Sequence, residues 1–568
     1  MTHSLVAACD APTAIAPLLP VADAHAEAPL VDGTSVRYVN LDYAASAPAL
    51  DAVTRQLDAV LPYYSSVHRG AGYASQVSTA LYERSREVIG EFLSARDDDV
   101  VVITRNTTDA LNLLATAVPE DAGDVVVLDV EHHANLLPWR RGGCRVVPLR
   151  STIAATLAAL EAAVASSPTA LVAVTGCSNV TGELLPIDAL VAMAHRHGAR
   201  ICVDGAQLVP HRRVDIGALG IDYIALSGHK AYAPHGAGAL VGRRDWLDAA
   251  PAYLAGGGAV REVTAESVEW AAAPQRHEGG TPNVLGAVAL ATAFQTLSIL
   301  PDGELAEHEH ALARRLRDGL EAIPGVSVLR IWDDSADQVG VVTFVVEGHD
   351  SGRVAAYLSA EHGIGVRDGR FCARPLVERL GASSGAIRAS MGVGSRGEDV
   401  DRLVDALGAL VARGEGWTYA LEGGRWTPSP DPRRAPELPA LGITLGSALP
   451  AVRRGVLPAH GPGRHHAGHS GGPHATRPVA RVAGGDVFLP RGLHGARRDS
   501  GGRRAARVPD ARRGVPLHRL RGPRAAPALG PRGAAAHALR RGRDRARLEP
   551  GRRVQARDPG HRRRAGGR

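Results

Sequence analysis

Lysine is almost absent from this chain. Of 65 lysine and arginine side chains in 568 residues, one is a lysine, Lys230. Cysteine is scarce as well: Cys9, Cys144, Cys177, Cys202 and Cys372 form no C-x-x-C pair and no metal-ligand spacing. That excludes a disulfide-stapled scaffold and a zinc module, and it predicts a reducing, cytoplasmic setting. No uninterrupted apolar run reaches the length of a membrane span, so no membrane partner is expected. The first residues lack a basic region followed by an apolar core, and no secretory signal is expected.

Charge is unevenly divided. Residues 431–568 hold 31 arginines against 8 acidic residues, a net of +23, which leaves residues 1–430 with a net of −17. The formal net charge of +6 therefore says nothing about the partners of the acidic part. Residues 431–568 also lack lysine, tyrosine and tryptophan, and they have one phenylalanine, Phe488. Such a composition cannot bury enough apolar surface to offset chain entropy, and disorder is predicted. One reading of this tail is a basic arm that binds nucleic acid nonspecifically. It has no aromatic platform for bases, and the preferred reading is a slipped reading frame in a GC-rich gene. Nucleic acid is not an expected partner of the remainder.

What is present is organised around Lys230. A lysine amine can lose its proton when buried and can join an aldehyde as a Schiff base, and a guanidinium can do neither. Upstream, residues 199–203 read as an apolar strand that ends in Asp204, followed by a small-residue turn with Gln207. Residues 223–226 read as the next strand, which delivers Ser227, His229 and Lys230 to the same rim. In α/β sheets, ligands lie at the carboxyl ends of strands. An aspartate beside a Schiff-base lysine is the pairing that pyridoxal 5'-phosphate needs, the carboxylate keeping the pyridinium nitrogen protonated.

Further segments follow the same strand-then-polar-turn pattern. Val100-Val101-Val102-Ile103 leads to Asn106-Thr107-Thr108-Asp109 at the start of a helical run. Thr107 or Thr108 is expected to cap that helix, whose N-terminus suits a phosphate. Val125-Val126-Val127-Leu128 leads to Glu131-His132-His133-Ala134-Asn135, and residues 171–174 lead to Ser178-Asn179-Val180-Thr181-Gly182. A helix is expected over 79–94, another over 305–323 and a strand over 341–346. The alternation of strand and helix predicts an α/β fold with a mostly parallel sheet between helices, plus a smaller α+β domain.

The D-G-A-Q and S-G-H-K motifs, with E-H-H-A-N, S-N-V-x-G, E-x-G-T-P-N around Thr281, and I-R-A-S around Arg388, resemble the class V aminotransferase family of fold-type I pyridoxal-phosphate enzymes. The nearest relatives by motif are the group II cysteine desulfurases and selenocysteine lyases. The resemblance runs from about residue 38 to residue 412. It implies that Lys230 carries the cofactor, with His132 stacked on its ring and serving proton transfer. It places Asp204 at the pyridine nitrogen, Asn179 and Gln207 at the phenolic oxygen, and Thr107, Thr108, Ser227 and His229 at the phosphate. Thr281 would reach the phosphate of a neighbouring subunit, which implies a homodimer with shared sites. Arg388 and Asn179 would hold the substrate carboxylate.

Residues 367–375 resemble the desulfurase segment R-x-G-x-H-C-A-x-P, with Cys372 as the nucleophile and Phe371 where the family has histidine. The implied reaction removes sulfur, or selenium, from L-cysteine or L-selenocysteine to give alanine and an enzyme persulfide, which a sulfur-acceptor protein would relieve. The alternative is another class V reaction on the same frame: an aminotransferase, an epimerase-like enzyme or a C–S lyase. The expected organisation is a mobile lead-in over 1–35, a segment over 36–54 joining the smaller domain, a large cofactor-binding domain over 55–296, the smaller domain with the cysteine loop over 297–415, and the low-complexity tail over 416–568.

Overall fold

The structure, a computed structural model, describes residues 14–434. Apolar runs without polar alternation become strands covered on both faces. These are β1 (Asp99–Thr104), β2 (Asp124–Leu128), β3 (Cys144–Val147), β4 (Thr169–Thr175), β5 (Arg200–Asp204), β6 (Tyr223–Ser227) and β7 (Gly238–Arg243). They form one seven-stranded sheet in the order β1-β7-β6-β5-β4-β2-β3. β7 runs antiparallel to both neighbours, and the other pairings are parallel. Successive side chains of a strand point to opposite faces. Val101 and Ile103 accordingly join one apolar layer with helices α2 (Tyr73–Phe92) and α6 (Val284–Leu297). Val100 and Val102 join the other, with Leu111 and Leu114 of α3 (Thr107–Ala117). Helices α1 (Asp51–Val60), α4 (Ile153–Ala165) and α5 (Ile187–Arg196) complete the covering.

A second, four-stranded antiparallel sheet follows. It is built from β8 (Val326–Val328), β9 (Val341–Val346), β10 (Arg367–Gly369) and β11 (Ala386–Ser390), in the order β8-β9-β11-β10. Helices α7 (Glu304–Glu321), α8 (Ser351–His362) and α9 (Gly397–Arg413) pack on it through Leu316, Leu358, Leu403 and Leu407. The short strand Val39–Asn40 pairs in parallel with Ile364–Gly365, so the early chain is tied to this second layer.

The structure departs from the sequence reading in three places. The lead-in, expected to be mobile up to residue 35, is docked from residue 14. Val21, Leu30 and Val31 are buried, the Gly397 amide donates to the Ile15 carbonyl at 2.9 Å, and the Val31 amide donates to the Ala360 carbonyl at 3.0 Å. These isolated apolar anchors have no period, so the alanine- and proline-rich composition masked them. The first 13 residues lie outside the described residues. The structureless tail does not begin at residue 416 either: Tyr419–Glu422 and Arg425–Pro428 form an antiparallel hairpin. Tyr419 is buried, its hydroxyl donates to Glu361 at 2.8 Å, and Arg353 lies over the Trp426 ring. Trp417, Tyr419 and Trp426 all precede residue 431, where the stretch without tyrosine and tryptophan begins, so the boundary at 416 lies too early. Disorder or frame slippage beyond residue 434 concerns a stretch outside the described residues. Finally, α2 begins at Tyr73, ahead of the expected start at 79, after an extended Gly72.

Candidate active site

The antiparallel β7 brings together strand ends that are far apart in sequence. Gly238, its first residue, pairs with both Thr104 at the end of β1 and Ser227 at the end of β6. A Cβ on Gly238 would sit 2.4 Å from the Leu226 carbonyl oxygen and 2.7 Å from the Asn106 Cα, so only glycine allows this approach. The start of α3 thereby meets the end of β6. The Thr107 amide donates to the Ser227 hydroxyl, and the Thr107 and Ser227 hydroxyls share a second hydrogen bond, each 2.8 Å long. Capping of α3 falls to Asn106, not to Thr107 or Thr108 as expected. Its side-chain oxygen accepts from the Asp109 amide at 3.0 Å, and its backbone is extended. Capping by Asn106 leaves the two threonine hydroxyls to the cavity, and Thr108 is exposed in the first helical turn.

Eleven of the twelve candidate residues line one cavity of about 230 Å³ at these strand ends, and Thr281 does not. Thr281 is exposed and lines a separate hollow with Tyr82 and Tyr253. Lys230 follows β6 in a short 3-10 turn. Burial, reinforced by the Arg388 charge and opposed by Asp204, lowers its pKa to about 8. Its Nζ donates to the Gln207 Oε1 at 3.4 Å. Asp204 is buried at the end of β5, where it accepts from the Ala206 amide at 3.0 Å, and burial pushes its carboxyl up. His132 accepts from the Ala134 amide through Nδ1 at 3.0 Å, which puts the proton of the neutral ring on Nε2. Burial first, then the charges of Lys230, His133 and Arg388, lower its pKa to about 4, so the ring is neutral at physiological pH. His229 is lowered as well, by burial and Lys230.

The second layer supplies the opposite wall. Arg388, on β11, is 3% exposed. Its Nη1 donates to the Asn179 carbonyl at 2.7 Å, its Nη2 donates to Asp42 at 3.2 Å, and its buried Nε has no partner among the described residues. The Phe371 ring lies 5.2 Å from this guanidinium. Phe371 and Cys372 both adopt the left-handed backbone region, at φ 49° and 54°. Two adjacent non-glycine residues there cost of order 1–3 kcal/mol each and must be held by their surroundings. Two hydrogen bonds hold them: the Asn179 amide donates to the Phe371 carbonyl at 2.9 Å, and the His133 amide donates to the Cys372 carbonyl at 3.1 Å. These bonds pin the Cys372 loop to the segments after β2 and β4, with an exposed thiol facing the cavity that Lys230 lines.

Some functional residues escaped the sequence reading. Asp42 is the ion partner of Arg388, a pairing across 346 residues that no local signal announces. Glu131, fully buried, accepts from the Asn135 side chain at 2.7 Å and from the Thr175 amide at 3.0 Å, which braces the loop that carries His132. His211 sits four residues after Gln207, a spacing that could have flagged it. The second cavity cysteine, Cys177, is fully buried and its thiol is pushed far up, so it is inert beside Cys372.

A donor set of one amine, one buried carboxylate, a helix N-terminus with hydroxyls and a neutral imidazole fits a flat aromatic aldehyde that carries a phosphate and a ring nitrogen. Comparison with known proteins points the same way. The family model for aminotransferase class-V matches residues 39–403. A cysteine desulfurase of Klebsiella pneumoniae is 38% identical over 389 residues, 66% of this chain and 94% of the relative. A probable cysteine desulfurase of Vibrio cholerae is 35% identical, with 67% of this chain and 95% of the relative covered. Among solved structures, a cysteine desulfurase from Escherichia coli is similar at a TM-score of 0.59 and 34% identity, covering 65% of this chain and 94% of its own. The apo cysteine desulfurase of Thermococcus onnurineus NA1 is similar at a TM-score of 0.62 and 32% identity, covering 66% and 95%.

Proposed function

The chain belongs to the aminotransferase class-V family, and from that premise we propose that it is a pyridoxal-phosphate-dependent cysteine desulfurase in which Cys372 takes sulfur from L-cysteine. The observation that carries this reading is the exposed Cys372 thiol on the same cavity as the only lysine amine of the chain. Lys230 would hold the cofactor through its amine. Asp204 would face the ring nitrogen, His132 the ring face, Asn179 and Gln207 the phenolic oxygen, and Thr107, Thr108, Ser227 and His229 the phosphate. When bound, pyridoxal phosphate supplies an electron sink for the bonds around the substrate's α-carbon.

The remaining steps belong to the chain's own residues. Arg388, which lines the cavity, receives the substrate carboxylate. Lys230, with its pKa near 8, takes and returns the α-proton at neutral pH. His132 is too weak a base for that task and acts as a neutral face with a donor at Nε2. The Cys372 thiolate attacks the substrate sulfur. The S–S bond forms as the Cβ–S bond breaks, the electron pair of the broken bond stays on carbon, and protonation there yields alanine. The sulfur remains on Cys372 as a persulfide until an acceptor thiol, such as one on a sulfur-acceptor protein, removes it.

A homodimer with shared sites accompanies this reading. It is supported by Thr281, which stands exposed outside its own chain's cavity, and by the exposed apolar side chains Leu61, Tyr63, Tyr64 and Tyr73. L-selenocysteine is a second substrate of the same chemistry, and the setting is cytoplasmic. Among the described residues no helix is long and apolar enough to cross a membrane. One observation favours a second reading, another class V reaction such as a C–S lyase: the residue before Cys372 is a buried phenylalanine packed on Arg388 rather than an imidazole. A panel of amino acids assayed for alanine, selenide, sulfide and keto-acid products separates the two. Alanine from cysteine with a protein-bound persulfide supports the desulfurase. Pyruvate with free sulfide supports the lyase.

A further inference from the structure

Behind the cavity wall lies a buried chain of polar groups that the reaction above does not use. Gln207 and His211 occupy one face of the turn after β5, and their side chains meet, Nε2 to Nε2, at 2.9 Å. The other nitrogen of His211, Nδ1, lies 2.5 Å from Oε1 of Glu309 on α7. The second oxygen of Glu309 accepts from Arg212 at 3.1 Å, and Arg212 also reaches Asp337 at 3.1 Å. Gln207, His211 and Glu309 are 3%, 3% and 0% exposed, so water does not compete for these bonds.

The order of donors in this chain is dictated by its ends. A protonated lysine only donates and a carboxylate only accepts. Lys230 therefore faces the Gln207 oxygen, which turns one N–H of the Gln207 NH₂ toward His211 and leaves the other for the phenolic oxygen. His211 must accept at Nε2 and carry its proton on Nδ1, where Glu309 receives it. An amide flipped by half a turn would set its oxygen against the lone pair of His211.

We propose that His211 and Glu309 are positioning residues that lock the Gln207 amide with its oxygen toward Lys230, so that a side chain on a helix of the second layer tunes the amine that carries the cofactor. This rests on the assignment of Lys230 as that amine. A fixed oxygen beside the nitrogen favours its protonated form. Releasing the amide removes that preference, and the nitrogen gives up its proton at lower pH.

The test is the pH titration of the visible absorbance of the purified holoenzyme, with cofactor content measured in parallel. His211→Ala and His211→Leu lower the midpoint by about half a unit to one unit. His211→Gln, whose amide can accept from Gln207 and donate to Glu309, restores the wild-type midpoint; loss of packing alone gives no such rescue. Glu309→Met, which keeps much of the volume but cannot accept from Nδ1, lowers the midpoint in the same direction and decides the matter if the alanine and leucine variants do not fold. Variants that hold a full complement of cofactor and titrate like wild type overturn the proposal, as does a glutamine variant shifted as far as alanine. A wild-type protein with no titrating visible band would instead defeat the assignment of Lys230, so the two failures are told apart.

Discussion

Arg388 offers the sharpest test of how substrate is held. It is 3% exposed and lines the cavity, with its Nη1 on the Asn179 carbonyl and its Nη2 on Asp42. Arg388→Lys keeps a positive charge but loses the planar fork. A hydrogen bond to a charged group contributes about 1.5–3 kcal/mol, and the loss of one, at about 2 kcal/mol, lowers kcat/KM for L-cysteine about 30-fold, mainly through KM. Arg388→Leu removes the charge as well. Asp42, whose carboxyl is pushed up by burial and held back chiefly by Arg388, is then left without its ion partner, and the expected loss reaches about 4 kcal/mol, or about a thousandfold. The Arg388 charge also helps to lower the Lys230 pKa, so Arg388→Leu moves the rising, acid-side limb of the rate profile to higher pH, because Lys230 must lose its proton before it takes the α-proton. The assay is product release with L-cysteine and with cysteamine, which has the thiol and amine but no carboxylate. Cysteamine turnover should be changed much less than cysteine turnover by either substitution. Equal losses for both substrates refute the assignment of Arg388 to the carboxylate.

Borohydride reduction of the holoenzyme should attach the cofactor to a peptide containing Lys230, because no other lysine exists, and Lys230→Arg should carry no reducible adduct while its melting temperature is preserved. In cofactor-stripped protein, an amine-directed reagent should modify Lys230 with a midpoint near pH 8, since the lowered pKa leaves the amine neutral above that pH and protonated below it; a midpoint near that of free lysine contradicts the burial argument. Ending the chain after residue 434 should leave the melting temperature and cofactor content unchanged, because residues 435–568 lack the side chains of a core. Ending it after residue 415 should cost about 3 kcal/mol, read by denaturant unfolding, because the buried Tyr419 and its bond to Glu361 are lost.

Five of the seven strands of the large sheet were legible because they are apolar runs that end in polar turns, as at residues 100–103 and 125–128, while β3 and β7 were not. The cavity residues of the large sheet were legible because each follows such a strand, at the rim where parallel sheets bind ligands, whereas Arg388, on the antiparallel second sheet, and Cys372, in the loop after its strand β10, were legible only through the resemblance of their segments. Contacts that depend on distant partners were not legible. Nothing near Asn106 announces that Gly238 will press against it and bring Thr107 to Ser227. The loop at Cys372 reads as mobile because its flanking glycines are visible, while its clamps, Asn179 and the His133 amide, come from other segments. The docking of residues 14–35 was hidden because its apolar anchors follow no period, and the hairpin at 419–428 because its few aromatic anchors stand next to the low-complexity stretch and were grouped with it.

The central claim is that Cys372 receives the sulfur. Its most direct test is a single turnover of L-cysteine without an added acceptor thiol, followed by mass analysis of the intact chain and of the peptide that contains residue 372, in the wild type and in Cys372→Ser. The wild type should gain one sulfur atom on Cys372 and release one alanine per active site. Cys372→Ser, with Lys230, Asp204 and Arg388 untouched, should bind cofactor and cysteine, gain no sulfur and release essentially no alanine. Alanine release from Cys372→Ser at the wild-type rate, or a wild-type persulfide on any other cysteine, would contradict the account.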